Sequence, residues 1–339
     1  MMLVASQIDD VGLSPSMKND SAIGAAGTIE VRLTSIRFGA RDTNLYEFSA
    51  SDGARLPPAT AGSHVDIHLP GGLVRQYSLI ESSDAPPSHY VIGVKKDPQS
   101  RGGSNFIHNR ARVGDLFRIS LPRNNFPLVE NAPHVALIAG GIGITPIWCM
   151  WQRLKALDRS VELVYACRSR ADAVFLPEMQ GEDAVTLYFD DEHAGTVLDV
   201  SPLLAKMPSG THAFCCGPAP MLKAFETAAA QWSPDRVHVE YFSPQAEAAN
   251  TGGFTISLAR SGQEVVVAPG ETILTALIRA GVDAPYSCEE GVCGACMTTV
   301  IEGLPDHRDS VLTAEERSQN AKIMICCSGS KTSRLVLDL

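Results

Sequence analysis

Apolar and polar positions alternate in short runs from Thr28 onward. T-I-E-V-R-L-T-S-I-R-F (Thr28–Phe38) and N-L-Y-E-F-S-A (Asn44–Ala50) have the period of half-buried strands. The pattern returns at His64–Leu69, Val74–Ile80, Tyr90–Lys95 and Leu116–Leu121, with turn residues such as Pro70-Gly71-Gly72 and Gly114-Asp115 between. Many short antiparallel strands at this spacing predict a small closed barrel. A helix is expected over Ser104–Arg110.

The period then changes. His134–Ile147 is a continuous apolar strand running into the glycine turn G-G-I-G, Ile147–Leu157 has helical period, and Val161–Arg168 is a further strand. This β–α–β unit implies a parallel sheet with helices on both faces. T-H-A-F-C-C-G-P (Thr211–Pro218) repeats the strand-to-turn plan, Ala219–Ala230 is helical, and Val237–Phe242 closes the sheet. Ser243–Gly253 has no period and reads as a linker. After it, F-T-I-S-L-A and E-V-V-V-A predict a hairpin, and Glu271–Gly281 a helix with an acidic first turn and a glycine stop. The expected organisation is a loosely held extension over 1–27, a barrel over 28–127, an α/β domain over 128–242, the linker 243–253, and a third domain over 254–339.

Chemistry enters most sharply in the third domain. Cys288, Cys293 and Cys296 stand at C-x4-C-x2-C spacing, and 29 residues separate Cys296 from Cys326. That is the plant-type spacing for a [2Fe–2S] cluster. Gly291 and Gly294 suit a loop whose amides must turn inward. A structural zinc prefers paired C-x2-C knuckles, and only one such pair occurs; a disulfide pair is disfavoured without a secretory signal. Cys327 adjoins Cys326 and competes with it as fourth ligand. Cys326 is preferred on spacing, and because neighbours on a strand point to opposite faces.

Two barrel stretches suit an anion. In R-Q-Y-S-L, Arg75 and Ser78 suit a phosphate or ring carbonyl, and Tyr77 suits a ring. In R-G-G-S, Arg101 with Gly102, Gly103 and Ser104 offers a guanidinium and amides just before a helix. The turn at Gly140, Gly141 and Gly143 lacks the G-x-G-x-x-G pattern, but its place after a buried strand is where doubly wound sheets put ligands. Cys216, Gly217 and Pro218 end a second such strand, so both turns can line one crevice.

Composition narrows the partners. The 339 residues carry a formal charge of −10, which argues against nucleic acid and anionic membrane. No apolar run is long enough to span a bilayer, no secretory leader is evident, and nine cysteines fit a reducing cytoplasm. The third domain holds 11 acidic and 7 basic residues. Glu289 and Glu290, inside the cysteine loop, fit either a solvated face or a docking face for a basic partner.

R-x-Y-S-L, R-G-G-S, G-G-I-G-I-T-P, C-G-P and the cysteine pattern, in this order, resemble the phthalate dioxygenase reductase family, which includes reductases of vanillate demethylase. The resemblance covers residues 28–339. It implies an FMN-binding barrel, an NADH-binding domain and a C-terminal β-grasp-like ferredoxin domain. By position it implies Arg75 and Gln76 beside the flavin; Gly93, Val94 and Lys95 along its ring; Arg101, Gly102, Gly103 and Ser104 at its phosphate; and Thr145 on the nicotinamide side. Phe242 is implied as the aromatic shielding the flavin, and Arg168 and Ser169 fall near the adenine ribose. FMN is favoured over FAD because the short connection from barrel to sheet leaves no obvious adenine site. The implied activity passes a hydride from NADH to FMN, then single electrons through the cluster to a terminal oxygenase of Rieske type, with no side-chain acid, base or nucleophile. A cytochrome P450 as customer and a redox-sensing regulatory role are the alternatives. A cytoplasmic monomer is expected.

Overall fold

The alternating run after Gly27 forms β1 (Thr28–Ala40), followed by β2 (Thr43–Ala50), β3 (His64–His68), β4 (Val74–Ser78), β5 (Tyr90–Lys95), α1 (Gly103–Arg110) and β6 (Leu116–Ser120). This computed structural model describes residues 27–339, so the expectation for the N-terminal extension lies, Gly27 apart, outside the described residues. The strands pair antiparallel in the order β4-β3-β6-β1-β2-β5. The sheet's edges meet just past β4, where Leu79 bridges Ile92 and the Ile80 amide donates to the Val91 carbonyl at 3.1 Å. Closure follows, and inward Val31, Leu33, Tyr46, Ile67 and Ile119 fill one buried core.

The second unit runs β7 (His134–Gly140), α2 (Ile144–Ala156), β8 (Val161–Cys167), α3 (Leu176–Met179), β9 (Val185–Phe189), α4 (Ser201–Leu204), β10 (Thr211–Cys216), α5 (Ala219–Ala228) and β11 (Val237–Glu240). All five strands are parallel, in the order β11-β10-β7-β8-β9. The chain steps from β7 outward to β9, then returns to the other side for β10 and β11. The carboxyl ends of β7 and β10 therefore flank the topological switch point, where open α/β sheets form a crevice. Two details differ from expectation. The half-buried edge strand β9 was not anticipated, because V-T-L-Y-F is short and only weakly apolar on one face. Helix α2 begins three residues early, at Ile144, because Pro146 fits a first turn, where its missing N–H is no loss. The barrel and the parallel sheet share a core: Ala40, Leu45, Ile80 and Val91 cluster with Leu137, Ile144 and Trp148.

The third unit comprises β12 (Phe254–Leu258), β13 (Glu264–Val267), α6 (Ile273–Arg279), β14 (Met297–Glu302), β15 (Pro305–Asp306), α7 (Ala314–Gln319), β16 (Lys322–Met324), β17 (Gly329–Ser330) and β18 (Arg334–Leu337). A mixed sheet in the order β13-β12-β18-β14-β16 is covered by α6, which buries Ile273, Leu274, Ala276 and Leu277 against it. Glu271 precedes this helix instead of forming its first turn. Thr272 caps the helix by accepting from the Thr275 amide at 3.2 Å, and Glu271 pairs with Arg279 at 2.8 Å.

Ser243–Gly253 forms no regular element yet is tied to the third unit. The Ala249 amide donates to the Cys327 carbonyl at 2.7 Å, and the Gly270 amide to the Asn250 carbonyl at 2.7 Å. The third unit also meets the barrel directly. Asn125 Nδ2 donates to the Cys293 carbonyl at 2.9 Å, and Ser287 donates to Asp66, which also holds Arg123 at 2.6 Å. Among the described residues no helix is long and apolar enough to cross a membrane.

Candidate functional site

The loop Cys288–Cys296 closes on itself as its glycines require. Gly291 and Gly294 have φ of 71° and 72°, and Glu289 also takes a positive φ, of 57°. At Gly291 a side chain would collide with the Cys327 sulfur, 2.5 Å from an added Cβ. The loop's amides turn inward: Glu290 N–H donates to Cys288 Sγ at 3.4 Å and Ala295 N–H to Cys293 Sγ at 3.5 Å. Cys288, Cys293, Cys296 and Cys326 are buried and unbridged. Their thiols act on one another. Those of Cys293 and Cys326 draw Cys288 well below the ordinary thiol range and are themselves pushed up, and Cys326 likewise draws Cys296 down.

Cys326 thus meets both Cys288 and Cys296, whereas Cys327 turns toward the Met324 carbonyl, 3.8 Å from its sulfur. The two occupy a turn after β16, not a strand, so turn geometry and not strand alternation separates them. Among the described residues no group of His, Cys, Asp or Glu side chains is arranged around a single ion. A two-iron cluster needs its thiolates more widely spaced than one zinc does, and the inward amides suit its bridging sulfides.

A cavity of about 280 Å³ opens beside this loop. Arg75, Gln76, Tyr77 and Ser78 of the barrel line it, with Gly93 and Lys95 opposite. Ser100, Arg101 and Ser104 close one end, and Thr145 and Phe242 come from the α/β unit. Glu290 and Val292 reach it from the cysteine loop. Gln76 Oε1 and Ser78 Oγ are buried without a hydrogen-bond partner, an arrangement that suits a polar ring edge. Arg75, Lys95 and Arg101 supply the positive charge a phosphate needs. Val94, Gly102 and Gly103 lie outside the lining. Val94 is buried in the barrel core, Gly102 caps α1, and a Cβ at Gly103 would meet Arg75 Cγ at 2.6 Å.

The second cavity, about 530 Å³, lies at the sheet's switch point. Gly140, Gly141, Gly143, Arg168, Gly217 and Pro218 line it, together with Asp172 and Asp190. The two glycine turns touch: a Cβ at Gly143 would stand 2.2 Å from the Cys216 carbonyl oxygen. The packing of one turn on the other therefore demands glycine whether or not a ligand binds. Two expected residues fall elsewhere. Cys216 is buried behind the turn, with its thiol pushed well above the ordinary range by burial and by Glu240. Ser169 donates to Asp172 at 2.8 Å and accepts from Arg41 at 3.2 Å, so it serves that cluster instead of the wall. Lys95, Ile142, Phe242 and Ser243 line both cavities, and the Phe242 ring, 40% exposed, stands between them.

Sequence reasoning missed Glu240. It ends β11 two residues before Phe242, is buried, and neither carboxyl oxygen has a partner. Burial pushes its pKa up to about 8, and the neighbouring Ser78 hydroxyl pulls back only in part. Nothing local marks it, because the burial comes from strands distant in sequence. It also missed Glu290 as a barrel contact: the carboxylate lies 2.7 Å from Arg101 and 3.9 Å from Arg75, so it faces inward and is neither solvated nor a surface for a partner.

Residues 137–227 match the family of oxidoreductase NAD-binding domains, and residues 256–330 that of 2Fe-2S iron-sulfur cluster binding domains. The chain is 48% identical over 320 residues to the phenoxybenzoate dioxygenase subunit beta of Ectopseudomonas oleovorans, covering 94% of this chain and all of that one. The solved phthalate dioxygenase reductase, described as modular for electron transfer from pyridine nucleotides to [2Fe–2S], superposes with a TM-score of 0.68 at 36% identity, covering 92% of this chain and 98% of that one. An intact type IV self-sufficient cytochrome P450 monooxygenase matches with a TM-score of 0.83 at 38% identity, over 92% of this chain but only 41% of that longer one.

Two outcomes follow from this geometry. Cys326→Ser should abolish the visible iron–sulfur absorption after reconstitution with iron and sulfide, while Cys327→Ser retains it; the reverse result would exchange their roles. Glu240 holds its proton in the fold up to about pH 8, whereas the unfolded chain releases it near pH 4.5. Stability from this group is full below the lower value and is lost as pH rises to the upper one. In the flavin-free protein, Glu240→Gln should therefore gain on the wild type by up to about 1.4 kcal/mol per pH unit across that window. Parallel denaturant melts at pH 5.5, 7 and 8.5 measure it.

Proposed function

We propose, from the premise that this chain belongs to the phthalate dioxygenase reductase family, that it takes a hydride from NADH at the sheet's switch point and passes electrons singly, by way of FMN in the barrel cavity and a [2Fe–2S] cluster on Cys288, Cys293, Cys296 and Cys326, to a terminal oxygenase. One observation carries the reading. The barrel cavity shares Phe242, Lys95 and Ile142 with the nucleotide crevice on one side and takes Glu290 and Val292 from the cluster loop on the other. Donor, intermediary and acceptor positions are contiguous.

When bound, a flavin converts a two-electron hydride into single electrons that an iron–sulfur cluster carries onward. The protein's own work is to bind, orient and exclude water. Arg75 and Arg101 hold the phosphate end, with Ser104 beside them. Gln76 and Ser78, whose buried oxygens lack partners, face the ring. Phe242 partitions the two cavities and must swing aside for a nicotinamide to reach the barrel. Gly141 and Gly143 precede α2, and their backbone lines the crevice. Glu240 sits behind Ser78 as a buried group able to keep a proton at neutral pH.

The charged residues lining the crevice are Asp172 and Asp190 against Lys95 and Arg168. Asp172 is fixed by Arg41 at 2.5 Å. Asp190 has no ion pair among the described residues and repels a 2′-phosphate, which favours NADH over NADPH.

The names of the relatives support an oxygenase as customer, and we assign it to the Rieske type because dioxygenases supply the partners those names print. A cytochrome P450 is the second reading, favoured by the fused relative of known structure. Nine unbridged cysteines support a reducing, cytoplasmic setting.

Anaerobic addition of NADH to the reconstituted protein should bleach both flavin and iron–sulfur bands. Bleaching of the flavin alone would contradict the reading. kcat/KM for NADH should exceed that for NADPH by at least about tenfold, and Asp190→Asn should narrow the ratio, each tenfold corresponding to about 1.4 kcal/mol. Steady-state kinetics with ferricyanide as acceptor provide the comparison.

A further inference from the structure

Glu290 joins the cluster loop to the phosphate end of the barrel cavity. Its amide donates to Cys288 Sγ at 3.4 Å, so its backbone belongs to the cluster loop. Its carboxylate leaves the loop and reaches the barrel, 2.7 Å from Arg101 Nη2 and 3.9 Å from Arg75 Nη1. The Glu290 and Arg75 side chains are mostly covered, whereas Arg101 reaches Glu290 from the exposed rim. Arg75 is itself oriented by the Val74 carbonyl at 2.8 Å and the Arg101 carbonyl at 3.3 Å. These two guanidinium groups are the arginines at the phosphate end of the cavity. Lys95 and Asp97 are the other charged residues lining it, and both belong to the barrel.

We propose that Glu290 is a latch that competes with the flavin phosphate for Arg75 and Arg101, so that flavin affinity and the seating of the cluster loop oppose each other. The inference rests on the flavin reading above. A phosphate monoester brings one to two negative charges to guanidinium groups already paired with a carboxylate. Two anions held at the same guanidinium groups repel, and the arginine N–H donors must be divided between them. Such coupling is reciprocal: whatever Glu290 withholds from the phosphate, the phosphate withdraws from Glu290. Glu290 is thus a positioning residue. It gives up part of the flavin affinity in return for a charged contact between the loop and the cavity rim.

The test separates phosphate from ring. FMN and riboflavin are titrated separately into the flavin-free, cluster-loaded full chain, and binding is read from flavin fluorescence. Glu290→Gln should bind FMN at least about fivefold tighter than the wild type, with riboflavin binding unchanged. Glu290→Asp, which keeps the charge, should lie nearer the wild type. Glu290→Ala should move in the same direction as Glu290→Gln, which guards against a folding defect peculiar to one variant. FMN binding that is unchanged or weaker in both neutral variants overturns the latch, as does equal tightening of both flavins. A wild type that fails to prefer FMN to riboflavin removes the phosphate site and the latch together. A wild-type preference that the neutral variants leave unaltered removes the latch alone.

Discussion

A few polar contacts between the barrel rim and the cysteine loop set the order of everything else. Asn125 holds the loop by its Cys293 carbonyl, Asp66 takes a hydrogen bond from Ser287, and Arg101 pairs with Glu290. The two that end on a carboxylate belong to the stronger class of polar contacts, and all three are directional. They fix the thiolate loop at the edge of the barrel cavity. The tied linker adds a covalent limit on how far the third unit can stray from that edge.

The other side of the cavity is set by close packing. The glycine turns after β7 and β10 touch, and a methyl group at Gly143 would enter the Cys216 carbonyl. At Gly93 an added Cβ would lie 2.7 Å from Thr145 Cγ2, so the barrel approaches the start of α2 as closely as backbone allows. These two approaches make the nucleotide crevice and the barrel cavity neighbours, with Phe242 between them. Glycine at these positions serves packing first, and the openings for ligands are a consequence of that packing.

Features encoded locally were legible in the sequence. The cysteine spacing, the positive φ at Gly291 and Gly294, and the strand–turn–helix at Gly140–Gly143 all follow from residues adjacent in the chain. What depends on distant packing was not. Glu240 looks like an ordinary end to an edge strand until the fold buries it, and the partners of Glu290 lie about 190 and 215 positions away in sequence. Cys216 was assigned to the crevice because its turn lies there, but a strand's end does not reveal which way its last side chain points. Cys326, preferred over Cys327 on spacing, comes together with Cys288 and Cys296 in the fold, but it lies on a turn, so strand alternation does not separate the two.

In the proposed function, donor site, barrel cavity and cluster form one continuous path within a single chain. The most direct test is anaerobic rapid mixing with NADH at several protein concentrations, following the iron–sulfur absorbance. Cluster reduction should follow flavin reduction, at a rate independent of protein concentration. A cluster reduction rate that rises in proportion to protein concentration would mean that electrons pass between molecules, and would contradict that path.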